Sequence, residues 1–372
     1  MKYKISIVTP TLNGGGAEKV AVNLANQYAL DGHAVDLVVL KFIGPYKTMI
    51  NEKVRVVNLE VDNINFLSSI SILYKIRNYL KNHLDNLVLS VSRDVNIFTG
   101  LAAKFLYINN LVFRESNTLH GVIQKKWPKN IIYIFLMKYA YRSTKLVISN
   151  SDDTKFDLIK HYVIKNDKTL VIRNPVLPSN YKLLASENID ESWFRNKELK
   201  TILSVGRLTK QKNFSFLISV FKDVYKINKN LRLIIIGEGE QKLNLLNQIK
   251  FSGLSKSIKI IPFQKNIYPF YKKADLFILT SKWEGFGNVL VEALSAGLPI
   301  ISSNCPGGPK MILNFGKYGK LLPLNDKPAF VNAILDKIKN SDLQKQSMEY
   351  AKYYTVLNVS KEYLKAISKI SH

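Results

Sequence analysis

Glu284-Gly285-Phe286-Gly287-Asn288-Val289-Leu290-Val291-Glu292 places two carboxylates eight residues apart, around a Gly-Phe-Gly loop that opens an apolar helix. Just upstream, Leu276–Leu279 is a short apolar run with the length and composition of a buried strand. The order is therefore strand, glycine loop, helix, which is the building unit of a parallel α/β sheet. Eight residues of helix rise about 12 Å. The two carboxyl groups that act together in a retaining glycosidase stand about 5–5.5 Å apart. Glu284 and Glu292 are too widely spaced for that partnership and are placed to touch two parts of one long ligand. An isolated acidic pair is ordinarily a solvated helix face. Here Val289, Leu290, Val291, Ala293 and Leu294 make the helix almost wholly apolar, so Glu292 is buried and needs a partner.

The same alternation extends in both directions. Strands are predicted near Lys4–Pro10, Ala34–Leu40, Val54–Asn58, Asn86–Val91, Leu111–Phe113, Leu146–Ser149 and Thr169–Ile172. A second series falls near Thr201–Val205, Leu231–Gly237, Lys259–Pro262, Leu276–Leu279, Ile300–Ser302 and Lys320–Leu322. Helical periodicity runs through Glu18–Leu30, and Asn65–Leu80 sets Phe66, Leu67, Ile70, Leu73, Ile76 and Leu80 on one face. Two doubly wound α/β domains follow. Asn174–Lys200, with Pro175 and Pro178 and little periodicity, reads as the connection. The expected domains are residues 1–178, joined by a C-terminal helix at about 355–372, and residues 179–354. Val359, Tyr363, Ile367 and Ile370 form the stripe of that last helix.

At 372 residues the chain exceeds one typical core, and its net charge of +26 calls for an anionic partner: nucleic acid, an acidic membrane face or phosphorylated ligands. Part of that excess reflects a composition rich in Ile, Lys and Asn. Cys305 is the single cysteine, which excludes an intramolecular disulfide and a thiolate metal site and suits a reducing cytoplasm. Met1-Lys2-Tyr3-Lys4 runs straight into a strand without the apolar region of a signal peptide. The longest apolar runs, such as Ile131–Met137, fall far short of the roughly 18 residues of a membrane span. No HExxH motif, paired cysteines or convincing DxD sequence is present, so no metal is implied. Asp152-Asp153 after Asn150-Ser151 reads as a helix start.

Several loops carry further chemistry. Asn13-Gly14-Gly15-Gly16-Ala17-Glu18 leaves the first strand and opens the first helix; Gly15 and Gly16 let backbone amides approach a phosphate at a helix N-terminus. The plain alternative is a flexible turn. Ser204-Val205-Gly206-Arg207 and Lys210-Gln211-Lys212-Asn213 follow the first strand of the second series, where Arg207 and Lys212 can bracket a diphosphate with a fork and a point charge. Gly237-Glu238-Gly239-Glu240 ends another strand. The amides of Phe286, Gly287 and Asn288 face out of a helix N-terminus and suit phosphate or sugar hydroxyls. From Gly121 to Lys145 stand six basic residues, Lys125, Lys126, Lys129, Lys138, Arg142 and Lys145, and no acid, interleaved with Trp127, Tyr133, Phe135, Tyr139 and Tyr141. Such a stretch fits an anionic membrane surface; a core helix with solvated lysines is the alternative.

These motifs resemble those of glycosyltransferase family 4, the retaining nucleotide-sugar glycosyltransferases of GT-B fold that build bacterial surface polysaccharides. The likeness is strongest from Thr201 to Leu322. It implies two Rossmann-like doubly wound domains facing a cleft, with the last helix crossing back to the first domain. It places the Gly15-Gly16 loop at that cleft. It makes Arg207 and Lys212 the groups that neutralise the leaving nucleoside diphosphate and puts Glu284 beside the donor sugar. Glu292 then accepts both ribose hydroxyls, Gly237 lines the nucleotide pocket, and Phe263, between Pro262 and Gln264, edges the uracil. Phe113-Arg114-Glu115-Ser116-Asn117 looks like the branch of the family with R-E-x-N at a position where many members carry histidine, so Arg114, Glu115 and Asn117 become acceptor or sugar contacts. Cys305-Pro306-Gly307-Gly308-Pro309-Lys310-Met311 departs from the family's G-P-x-E-I-L, with Met311 at the usual glutamate, and structural capping accounts for it.

The expected activity is retaining transfer of a hexose or N-acetylhexosamine from a UDP-sugar to a growing, lipid-linked bacterial surface glycan. It proceeds by front-face attack, with no covalent nucleophile, no metal and no resident cofactor. The expected location is the inner face of the cytoplasmic membrane, as a peripheral protein. Two rivals remain at this stage. One is a nucleotide-sugar epimerase or hydrolase of the same fold. The other is a basic nucleic-acid binder, against which the absence of a stacking-aromatic motif weighs.

Overall fold

The computed structural model describes residues 2–13, 15–61, 68–116, 128–161, 163–337 and 344–370. The chain divides into two compact units, Met1–Val176 with Tyr354–His372, and Leu177–Tyr353.

The first unit is a seven-stranded parallel sheet in the order β3-β2-β1-β4-β5-β6-β7. Its strands are β1 (Lys4–Thr9), β2 (Ala34–Val39), β3 (Arg55–Asn58), β4 (Leu87–Ser90), β5 (Leu111–Glu115), β6 (Leu146–Ser149) and β7 (Thr169–Val171). Five of the six residues of β1 are buried, as a strand covered on both faces requires. Ile5 and Ile7 enter one core with Leu24, Tyr28, Leu37, Val359, Tyr363 and Ile367, while Val8 enters the other with Ile76, Val88, Phe113 and Tyr141. The C-terminal helix Val356–Ser368 therefore completes the first unit, through the stripe expected of it. Helix Ser69–Lys81 differs from expectation in its buried face. Ile72, Ile76, Tyr79 and Leu80 are buried and Ile70 is exposed, because Ile70 stands about 200° around the helix from Ile72. Phe66 and Leu67 lie outside the described residues.

The second unit is a six-stranded parallel sheet, β10-β9-β8-β11-β12-β13. Its strands are β8 (Lys200–Val205), β9 (Leu231–Ile236), β10 (Ile258–Ile261), β11 (Leu276–Leu279), β12 (Ile300–Ser303) and β13 (Lys320–Leu322). Helix Phe214–Ile227 buries Phe214, Leu217, Ile218, Phe221 and Val224, a three-and-four-residue spacing that presents one apolar face to the sheet. The stretch expected to be a connection is more ordered than its composition indicates. It carries one-turn helices at Tyr181–Leu184 and Ser192–Arg195. Glu191 caps the second by accepting from the Trp193 amide, and Lys259 pairs with Glu191 at 2.6 Å while lying over the Trp193 ring.

In the second unit, β8 sits between β9 and β11, so the chain winds outward in opposite directions from the β8/β11 boundary. The carboxyl ends of these two strands form the topological switch point, the place where open α/β sheets bind ligands. β8 runs there into Gly206-Arg207, and β11 runs into Thr280, Ser281 and Glu284.

Candidate active site of the second unit

Three loops build the switch-point site. The loop after β8 and the segment after β11 are joined by hydrogen bonds: the Lys282 amide donates to the Gln211 carbonyl at 2.8 Å, and Gln211 Nε2 donates to the Trp283 carbonyl at 2.8 Å. Thr280 Oγ1 donates to the Lys212 carbonyl at 3.1 Å. The result brings Lys212 Nζ to 2.6 Å from Glu284 Oε1, with both side chains largely buried. Ser281, fully buried, donates its hydroxyl to the same Oε1. Arg207 is exposed on the same loop, and its guanidinium makes no hydrogen bond or ion pair among the described residues. One cation is thus held by a carboxylate and one is open to solvent, an arrangement suited to a multiply charged anion.

Glycines set how closely these loops approach. Gly237 has φ +157°, and a Cβ there would lie 1.9 Å from the Gly206 carbonyl oxygen. Its glycine is required by loop packing, whatever ligand lies nearby. Gly307 and Gly308 lie against the carbonyls of Glu284 and Phe286, each 1.9 Å from where a Cβ would be, and the Glu284 amide donates to the Pro306 carbonyl at 3.0 Å. The Pro306–Gly308 segment therefore braces the Glu284 loop from behind, independently of Met311.

Helix Asn288–Ser295 follows, with Gly287 as its N-cap in the left-handed region. Glu292 is 3% exposed and accepts from Tyr271 Oη at 3.0 Å, the partner its burial demands. Burial, the Glu292 charge and this hydrogen bond push the Tyr271 hydroxyl well above its ordinary pKa, so it stays a donor. Phe286 is buried, whereas Phe263, just beyond β10, is half-exposed with its ring open to solvent. Burial, followed by the nearby Glu284 carboxylate, pushes the Cys305 thiol up to about 12.

The first-unit candidates are placed differently. Gly15 caps helix Gly16–Leu30, and Glu18 folds back so that its Oε2 would lie 2.2 Å from a Cβ on Gly15. The helix N-terminus faces its own carboxylate. Arg114 is 0% exposed; its guanidinium donates to Tyr363 Oη at 3.1 Å and Asn174 Oδ1 at 2.6 Å. It ties β5 to the C-terminal helix, and no edge of it is left to meet a sugar. Glu115 is buried against Arg93 at 3.1 Å, with Asn96 and Tyr141 donating to its other oxygen. Although burial alone would lower it, the Glu115 charge raises the Arg93 pKa. Asn117 and His120 lie outside the described residues, as do Lys125, Lys126 and Trp127. Ser281, Tyr271 and Gln211 were not apparent from sequence: a serine three residues before a glutamate reads as a turn, and a tyrosine amid apolar residues reads as core.

Residues 14–179 match the family model described as Glycosyltransferase Family 4, and residues 185–354 match the one described as Glycosyl transferases group 1. The chain belongs to the family 4 glycosyltransferases. This glycosyltransferase is 27% identical over 259 residues to the Campylobacter jejuni N-acetylgalactosamine-N,N'-diacetylbacillosaminyl-diphospho-undecaprenol 4-alpha-N-acetylgalactosaminyltransferase, covering 69% of this chain and 68% of that one. It is 28% identical over 322 residues to the Escherichia coli UDP-Gal:alpha-D-GlcNAc-diphosphoundecaprenol alpha-1,3-galactosyltransferase, covering 81% and 80%. Among solved structures, Anabaena HepE in complex with UDP and glucose superposes with a TM-score of 0.79 at 19% identity, over 98% of this chain and 99% of that one. The lipopolysaccharide glycosyltransferase WaaG superposes with a TM-score of 0.77 at 17% identity, over 98% and 99%. The fold of the glycosyltransferase is accordingly GT-B. Among its described residues no helix is long and apolar enough to cross a membrane, and no group of His, Cys, Asp and Glu side chains is arranged to hold a metal ion.

Proposed function

We propose that this glycosyltransferase moves a hexose or N-acetylhexosamine from a UDP-sugar to a lipid-linked bacterial surface glycan, with retention. The observation that carries the reading is the Lys212–Glu284 pair at the β8/β11 switch point, on a loop that also carries the exposed Arg207. Departure of a nucleoside diphosphate leaves negative charge on the β-phosphate. Arg207 and Lys212 stabilise that charge without a metal or resident cofactor. Glu284 orients the sugar, Glu292 holds the ribose and Phe263 borders the base. The acceptor hydroxyl attacks the anomeric carbon on the face the diphosphate leaves, as the bond to the β-phosphate oxygen breaks, and its proton passes to the departing diphosphate. The relatives named for diphospho-undecaprenol acceptors support a lipid-linked acceptor here.

A lipid-linked acceptor requires access to a membrane surface. Helix Pro128–Tyr141 exposes Ile131, Ile132, Phe135 and Tyr139, and Lys138 and Arg142 lie in the same stretch. Apolar side chains with flanking cations suit an anionic bilayer at the cytoplasmic face; nucleic acid is not a partner in this reading.

The test incubates purified protein with UDP-, GDP- and ADP-sugars and follows free nucleotide and intact sugar, with Glu292→Ala alongside. Selective binding or slow turnover of one UDP-sugar, lost in the variant, is expected. Failure of every nucleotide-sugar to bind overturns the assignment. Sedimentation with anionic vesicles, expected to fall with salt, and none with neutral vesicles, tests the membrane element.

A further inference from the structure

We infer that Ser281 is a positioning residue for transfer, holding the Glu284 carboxylate in place when Lys212 turns to the donor diphosphate. This rests on the reading of Glu284 as the group that orients the donor sugar. In the present arrangement Glu284 Oε1 accepts from both Lys212 Nζ at 2.6 Å and Ser281 Oγ at 2.5 Å. Oε2 takes no hydrogen bond among the described residues and is the oxygen left for a ligand. An ammonium has three donors but a single charge, and a diphosphate competes for it directly. Once Lys212 is shared with the donor, the Ser281 hydroxyl is the remaining protein group on Oε1.

The surrounding backbone shows that the hydroxyl is not needed to hold the loop. Glu284 is pinned by its amide to the Pro306 carbonyl, Lys282 by its amide to Gln211, and Ser281 by its own carbonyl, which accepts from Ser303 Oγ at 2.6 Å. The neighbouring Thr280 clamps the main chain of Lys212. Adjacent hydroxyls just after β11 thus hold the two members of the pair separately: Thr280 holds Lys212 by its main-chain carbonyl, and Ser281 holds Glu284 by its carboxylate. The Ser281 hydroxyl serves the carboxylate.

The experiment compares wild type with Ser281→Ala, Ser281→Cys and Glu284→Gln. It measures the Kd for UDP, which lacks the sugar, and the turnover of whichever of UDP-glucose, UDP-galactose, UDP-N-acetylglucosamine and UDP-N-acetylgalactosamine wild type consumes fastest. For Ser281→Ala, UDP affinity is expected within twofold of wild type and kcat about 10- to 100-fold lower, the effect of one hydrogen bond to a charged group. Ser281→Cys, a weaker donor of similar size, is expected between them and carries the same test if the alanine variant does not fold. Turnover within threefold of wild type in the serine variants, or UDP affinity falling in step with turnover, overturns the inference alone. Full turnover in Glu284→Gln, or no binding of any UDP-sugar to wild type, overturns the reading beneath it as well.

Discussion

Lys212 Nζ and Glu284 Oε1 are 2.6 Å apart, although 72 residues separate them in the chain. The pair joins the loops after β8 and β11 and sets the charge of the site. Removing one partner strands the other in a largely buried position, at a cost of about 3 kcal/mol. Lys212→Ala is expected to lower the melting temperature and to reduce kcat by about 100-fold or more. Lys212→Arg keeps the charge but not the shape, and is expected to recover stability more fully than activity. Thermal unfolding and donor turnover of the two variants check this.

Tyr271→Phe removes only the hydroxyl that donates to Glu292 Oε2 at 3.0 Å. Losing a hydrogen bond to a buried charged group costs about 1.5–3 kcal/mol. With Glu292 as the ribose contact, affinity for UDP is expected to fall about tenfold and that for uracil itself to stay unchanged. Calorimetry with the two ligands separates these outcomes.

Arg114→Ala is expected to lower stability by about 3 kcal/mol, since it removes the guanidinium that donates to Asn174 and Tyr363 and empties a fully buried volume. The C-terminal helix should exchange its amide hydrogens faster, while the Kd for UDP remains within twofold. A large loss of UDP affinity with normal exchange would place Arg114 in the site after all.

Gly307 has φ +110° and a site for Cβ only 1.9 Å from the Glu284 carbonyl oxygen, whereas Gly253, at φ +69°, has open space around it. Gly307→Ala is expected to cost upward of about 3 kcal/mol and most of the activity. Gly253→Ala is expected to cost about 1 kcal/mol, the price of a left-handed backbone alone. Equal melting temperatures for the two variants would contradict the bracing role.

Cys305 supplies the pH dependence. Its thiol is pushed up to about 12 in the folded protein, against about 8.5 in an unfolded chain. The unfolded state therefore releases a proton first as pH rises. The stability that the neutral thiol contributes is fully present below about pH 8.5 and is lost as pH climbs from there towards 12. Alkylation of the native protein at pH 8 should be at least about a hundredfold slower than in denaturant. Cys305→Ala is expected to flatten the alkaline limb of the stability profile.

The two α/β units were legible from residues 4–10 to 320–322 because buried parallel strands write themselves as short β-branched runs, each bounded by a turn. Glu292 was legible for a related reason: a carboxylate among Leu290, Val291, Ala293 and Leu294 must be satisfied. Arg114 was misread as a ligand contact because strand alternation says which face a side chain takes, and nothing local says what covers that face. The cover is Tyr363, 249 positions later. Glu115 turned inward on Arg93 for the same reason.

Composition, periodicity and spacing determined the fold class, the position of the strands, the apolar stripe of the last helix and the burial of Glu292. Each is a property of residues close together in the chain, where 2.0- and 3.6-residue periods govern which side chains share a face. The tertiary structure alone decided that Lys212 and Ser281 meet on one oxygen of Glu284, that Tyr271 answers Glu292, and that Arg114 belongs to the core. Lys212 reaches Glu284 across 72 positions and Arg114 reaches Tyr363 across 249. The first of these depends on strand order, which places β8 beside β11 although two strands intervene in the chain.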